Sequence, residues 1–354
     1  MDIITTGTIT IFILGLLLCS RNDSKRKKWF LIIASMFFIL ISGLRNIYWG
    51  SPDTFGYSNY YSQVCKMSYS DIISDFPKDP SYHLFAKTVS LFVGDNFQIY
   101  LLIVSSFFIG SVSRLIYMQS KDTLLSVIMF LALGIFGFSM VGTRQALSLA
   151  LIALSFEWIV KRKLLKFLGC MILASLFHLT SFIFIIAYPL SYLKINKKTI
   201  ATYIGVLITL LILGRVSLVL FTPIFTMTDR FEGYMDRDVV LTYSGLIQLC
   251  LFLGLCIMLY KKAIFSNNNN RTMMHMLLVA IIFQSLASQL AEFFRVALYF
   301  KLFVIILIPN ILVYAKNRRL ITFVLMGLLL FYYLVMNSDI HEYAFYWEHY
   351  IPKY

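Results

Sequence analysis

The sequence predicts an all-α fold, a polytopic transmembrane helical bundle of about 12 spans, and three observations carry that prediction. Of 354 residues, 59% are hydrophobic and 14% charged, against roughly 45–50% and 25% in soluble domains. Apolar runs long enough to cross the roughly 30 Å hydrocarbon layer recur from end to end. The 31 basic residues outnumber 17 acidic ones, yet they gather in short clusters between apolar runs, a pattern that sets topology and not a nucleic-acid surface. Cys19, Cys65, Cys170, Cys250 and Cys256 have unrelated spacings, so neither a disulfide framework nor a Cys/His metal site is expected.

The first span, 3–19, begins with almost no charge and ends at Arg21–Lys28 without a small-residue cleavage site. It reads as a retained helix, not a removable signal. Hydropathy over about 19 residues places further spans at 29–44, 97–117, 123–141, 145–160, 200–222, 242–260, 273–291, 295–315 and 320–336. Segment 164–193 is different. As one helix it would run about 45 Å, and Phe177-His178-Leu179-Thr180-Ser181 interrupts it with polar groups. Two short spans turning near His178 put 20 basic residues on one side of the membrane and nine on the other. A single long span removes most of that asymmetry, so the positive-inside rule favours the turn, with both termini outside.

On this reading residues 1–354 form a single integral membrane domain. Two segments outside the cytoplasm exceed simple connectors. One is the extracytoplasmic loop 45–96, rich in Tyr, with Asp53, Asp71, Asp75, Asp79 and Asp95 and a candidate interfacial helix at 81–92. The other is the charged stretch 223–241. Long loops on a helical scaffold are where binding concentrates. The Asn267–Asn270 run reads as a flexible linker. Internal repeats are absent, against the inverted-repeat transporter folds.

The topology gathers Arg45, Asp53, Arg144, Gln145, His178, Glu292 and Arg295 at one membrane face. Charges at bilayer depth are costly, which makes those facing the bundle interior functional candidates. Arg144 opens a span after a very short turn, where its fork of donors suits a phosphate; the alternative is an arginine snorkelling to headgroups. Arg45 and Arg295 at the same level favour the phosphate. The His178 imidazole can take a proton from a hydroxyl, or only close helix–helix hydrogen bonds. Asp53 reads as a turn former or a second candidate base, and Glu292 with Arg295 as a local ion pair or part of the site. Tyr57, Tyr60 and Tyr82 belong to an aromatic set that suits either a membrane-interface belt or the faces of sugar rings. Motifs of nucleotide-binding loops, serine hydrolases and zinc proteases do not occur.

Taken in order, Gly43-Leu44-Arg45, Pro52-Asp53-Thr54-Phe55-Gly56-Tyr57, Tyr60-Tyr61, Asp79-Pro80-Ser81-Tyr82, Arg144-Gln145 and Ala174-Ser175-Leu176-Phe177-His178-Leu179-Thr180 resemble the EpsG family of Wzy-type polysaccharide polymerases. The resemblance covers about residues 30–190, with Arg295 and Tyr299 as a faint later match. It implies an enzyme of the bacterial cell membrane, its site facing the periplasm or exterior, that polymerises O-antigen, capsule or exopolysaccharide repeat units. The growing glycan would pass from undecaprenyl pyrophosphate to the next lipid-linked unit, with a chain-length regulator as a further partner and no cofactor. The family's prominent polar positions match Arg45, Arg144 and His178. An Asp79-Pro80 pair stands where Glu-Pro is expected, which puts a sugar-binding role for Asp79 in doubt.

The residues thus expected at the site are His178 and Asp53 for proton transfer, and Arg45, Arg144 and Arg295 for pyrophosphate. Gln145, Tyr57, Tyr60, Asp79, Tyr82 and Glu292 are expected at the sugars. A lipid-linked oligosaccharide flippase or an O-antigen ligase is the rival reading.

Overall fold

The computed structural model describes residues 3–19, 23–49, 52–77, 80–214, 216, 243–259, 267–287, 290, 292–336 and 343–350. The described residues form α1 Ile3–Cys19, α2 Ser24–Gly43, α3 Pro52–Lys66, α4 Tyr69–Asp75, α5 Pro80–Val93, α6 Phe97–Gln119, α7 Thr123–Ala132, α8 Ile135–Val141, α9 Thr143–Val160 and α10 Leu164–Phe177. A 3₁₀ helix Leu179–Ile186 leads into α11 Ala187–Leu190, then α12 Lys197–Leu213, α13 Ser244–Met258, α14 Asn268–Leu286, α15 Phe293–Lys301, α16 Val304–Leu312 and α17 Arg318–Met336. Among the described residues no strand forms, and one isolated bridge pairs Arg45 with Phe345.

Length and composition make α6, α9 and α17 sufficient to cross a membrane, or five spans when α7–α8 and α15–α16 each count as one bent span. The stretches expected as single spans at 123–141 and 295–315 are therefore broken. Gly134, at φ 71°, turns the first by 51°; this left-handed backbone favours glycine. The second bends by 40° between Lys301 and Val304. The 45–96 segment is not open loop but three helices, α3 to α5, on which Ser68 caps α4 through a capping box. The 223–241 stretch lies outside the described residues.

The Asn267–Asn270 run is no linker either. Asn267 caps α14 by accepting from the Asn269 N–H (2.8 Å). The Asn310 amide donates to the Gln119 carbonyl (2.9 Å) and to Asn270 Oδ1 (3.3 Å) and accepts from the Lys121 N–H (2.8 Å). These asparagines tie α6, α14 and α16 together at the end of the bundle remote from α3–α5. A buried amide with its partners in place specifies one packing.

Small residues let α2 and α6 approach closely and antiparallel. Ser35 meets Ser113 (2.7 Å) and Ser42 meets Ser105 (2.8 Å). A Cβ on Gly43 would come within 2.9 Å of the Leu102 backbone. Van der Waals contact between small side chains is what holds such helices together in lipid.

The chain reverses at His178. Phe167 near the start of α10 packs on Tyr188 of α11 (5.2 Å between centroids) and on Phe184 (6.4 Å). At the base of this hairpin Arg162 donates to the Ser191 hydroxyl and carbonyl and lies 4.1 Å over the Tyr192 ring. Arms of 14 helical residues and of eight 3₁₀ plus four helical residues measure about 21 and 22 Å. Both fall short of the roughly 30 Å hydrocarbon layer, so polar groups at the tip need partners inside the protein. In a cysteine-free background, cysteines placed at Lys163 and Leu193 should be labelled from the same membrane face by an impermeant thiol reagent. Labelling from opposite faces would contradict the reversal.

Candidate functional site

The bundle end that carries α3–α5 collects the unusual polar side chains, beginning at the end of α2. A helix leaves its last carbonyls without partners. Here Tyr343 donates to the Ile41 carbonyl (2.7 Å), Arg45 Nη1 to Ser42 and Gln98 Nε2 to Gly43. Gln98 also reaches the Arg45 carbonyl (3.1 Å). The second arm of Arg45, Nη2, donates to the Met140 carbonyl at the end of α8 (2.6 Å). Arg45 is 1% exposed. Burial lowers its guanidinium to about 10, so it remains cationic at neutral pH.

Gly142 closes α8 and opens α9, so Arg144 falls in the first turn of α9. Its guanidinium carbon lies 6.0 Å over the Tyr57 ring of α3 and 5.8 Å over the Tyr82 ring of α5. The two rings meet edge-on at 5.7 Å. Such contacts attract and orient a guanidinium through the ring faces. Burial raises the Tyr82 phenol above the ordinary tyrosine value, as does Tyr57, while Tyr100, Arg144 and Arg45 pull it down. Both arginines therefore act electrostatically on one hydroxyl.

Beside it, Gln145 is 2% exposed and donates to the Arg295 carbonyl in α15 (2.7 Å). Its Oε1 has no hydrogen-bond partner among the described residues. Arg295 Nε pairs with Glu292 at 3.1 Å. One turn further along α15, the Tyr299 hydroxyl stands 3.2 Å from His178 Nδ1 and 3.0 Å from Thr180 Oγ1, which is itself 2.9 Å from Nδ1. Phe177, next to His178, packs edge-on against Phe85 of α5 at 5.6 Å.

This triangle accommodates the tautomer that a base at Nε2 requires. A hydroxyl can accept as well as donate. In the tautomer with Nδ1–H donating to one of these hydroxyls, Nε2 carries the basic lone pair, and the two hydroxyls hold the ring in place.

The structure thus joins Arg45, Arg144, Tyr57, Tyr82, Gln145, Arg295, Glu292 and His178 through a chain of contacts at one end. Asp53 is exposed in the first turn of α3. Tyr60 packs against Phe76 and His83, unlike Tyr57, whose partners are Arg144 and Tyr82. Asp79 lies outside the described residues. Sequence reasoning missed Thr180 as a partner of His178, and Gln98 and Tyr343 as caps of α2. Polar residues in apolar surroundings are the signal that could have flagged Gln98 and Thr180. Among the described residues no group of three or more His, Cys, Asp or Glu is placed to hold a metal ion.

Apolar helices around a polar, cation-rich end define a helical membrane protein. The chain belongs to the EpsG family, whose model matches residues 28–352. No curated protein and no solved structure matches it.

Tyr299→Phe keeps the buried ring and removes the hydroxyl shared by His178 and Thr180. Protein level and melting should change little, while turnover should fall about tenfold, the usual worth of one hydrogen bond that orients a reacting group. Unchanged turnover would leave the orientation of His178 to Thr180 alone.

Proposed function

We propose that this chain is a polysaccharide polymerase of the bacterial cell membrane. It joins polyprenyl-pyrophosphate-linked oligosaccharide repeat units by glycosyl transfer on the outer face. Membership of the EpsG family supports a Wzy-like polymerase at the level of the family. One observation carries the reading to this chain: a half-buried Arg144 held over two tyrosines, on a helix that is tied to α15, whose Tyr299 hydroxyl meets His178.

In the transfer, a hydroxyl oxygen of the acceptor sugar forms a bond to the anomeric carbon of the donor glycan. The bond from that carbon to the pyrophosphate oxygen breaks, and the electron pair leaves with the lipid pyrophosphate. The acceptor proton passes to a base. His178 Nε2 is the first candidate, with the Nδ1 proton donated to the Thr180 or Tyr299 hydroxyl, and Asp53 is the second. Arg144, helped by Arg295, meets the negative charge that develops on the pyrophosphate. Tyr57 and Tyr82 offer ring faces and the Gln145 carbonyl oxygen an acceptor for sugar hydroxyls. Pyrophosphate is a good leaving group, so the reading assigns no metal or cofactor. Undecaprenyl as the lipid, O-antigen, capsule or exopolysaccharide as the product, about 12 spans and a chain-length regulator complete it.

Deleting the gene and running the surface polysaccharide on a gel tests the reading. A product stopped at one repeat unit is expected; loss of all attached glycan points to a ligase, and lipid-linked units retained in the cytoplasm to a flippase. In the complemented strain Arg144→Lys should lose polymer almost as fully as Arg144→Ala, about a hundredfold in rate, because a point charge does not replace a fork of donors. Full-length polymer from the Lys variant at normal protein level would make Arg144 a headgroup anchor.

A further inference from the structure

Arg45 and Arg144 stand together at one end of the bundle, but their surroundings differ in kind. Arg144 is half-buried beside two ring faces, whereas Arg45 is 1% exposed and each of its terminal nitrogens donates to a backbone carbonyl, those of Ser42 and Met140. We infer that Arg45 is a positioning residue: it sets the place of Arg144 by holding the Met140 carbonyl, and does not touch the substrate. The inference rests on the polymerase reading and assigns the two arginines different parts in it.

The path from Arg45 to Arg144 is short. Met140 lies in the last turn of α8, Gly142 is at once the end of α8 and the start of α9, and Arg144 follows two residues later. That turn has little slack, since a Cβ on Gly142 would come 2.8 Å from the Phe138 ring. The Met140 carbonyl also receives the Thr54 hydroxyl of α3 at 3.5 Å. Thr54 is one turn before Tyr57, one of the rings under Arg144. One carbonyl oxygen thereby gathers the end of α2, the start of α3 and the turn that carries Arg144.

Arg45 is also poorly placed to hold a phosphate. Its guanidinium is shut off from solvent, Nε included, so a phosphate could reach the N–H donors left on it only if the packed ends of α2 and α8 opened. Its charge still reaches the site through the field, as its pull on the Tyr82 phenol shows. That field survives a change to lysine.

The test is a double-mutant cycle in vesicles, with the full-length protein and lipid-linked repeat units extracted from cells deleted for its gene. Arg45→Met should lower kcat/KM about tenfold to a hundredfold, the worth of a buried hydrogen bond from a charged donor. It should change the same kinetic parameter as Arg144→Lys. Arg45→Lys should recover part of the loss, since one ammonium can reach the Met140 carbonyl. Added to Arg144→Lys, either change at Arg45 should cost less than about threefold more, because a residue acting through another has nothing left to act on. Losses that multiply in the double variant would overturn the inference and make Arg45 an independent substrate contact. If Arg45→Met fails to fold, the cycle with Arg45→Lys decides by the same criterion. A wild-type protein that forms no polymer here would instead refute the polymerase reading.

Discussion

The carbonyl oxygens that end α2 need partners where water is scarce, and the loop end of this protein is arranged around supplying them. Tyr343 comes from the C-terminal segment, Gln98 from α6 and Arg45 from the residue just past the helix. The same C-terminal segment pairs Tyr346 N–H with the Leu44 carbonyl (2.9 Å) and receives the Asn46 N–H at Ala344 (2.8 Å). In a bilayer an unpaired carbonyl costs several kcal/mol, so these partners are conditions of the fold. Because Arg45 reaches on to Met140, the requirement at α2 also places the turn from α8 into α9.

That link accounts for the separation of roles in the proposed site. The cation proposed to meet substrate must be oriented, and the tyrosine pair under Arg144 does this. The base must be held in one tautomer, and the Thr180 and Tyr299 hydroxyls around His178 Nδ1 allow it. Gln145 joins the two halves, standing next to Arg144 in sequence and bonded to the backbone of the helix that carries Tyr299. Broken helices and a hairpin tip supply the irregular backbone from which such side chains project. Irregular backbone of this kind is tolerated at depth only where protein surrounds it.

Much of this was legible in the sequence because membrane burial is a coarse, additive signal. Apolar runs marked nearly every helix, and the charge asymmetry pointed to a reversal at His178, where α10 does end and the chain folds back. The breaks at Gly134 and after Lys301 were not legible, since hydropathy is continuous across both and a bend leaves composition unchanged. The Asn267–Asn270 run misled for a related reason: asparagine composition suggests a linker, whereas the half-buried Asn269 and buried Asn270 amides find partners from α6 and α16 that lie far away in sequence. At the site, arginines and the histidine stood out as costly residues at span ends. Whether an arginine faces substrate or a helix end depends on which carbonyls come within reach, and only the fold decides that. Tyr299 lies within an apolar helix, where one more aromatic residue carries little signal until its hydroxyl is seen beside His178.

The central claim is that this one chain forms glycosidic bonds between lipid-linked units. The most direct measurement is to place the purified protein in vesicles with such units, with no sugar nucleotide and no other protein, and to follow both polymer and lipid pyrophosphate. The account predicts a ladder of products spaced by one repeat unit, with one polyprenyl pyrophosphate released for each new bond. Movement of intact lipid-linked units across the bilayer without bond formation would contradict it.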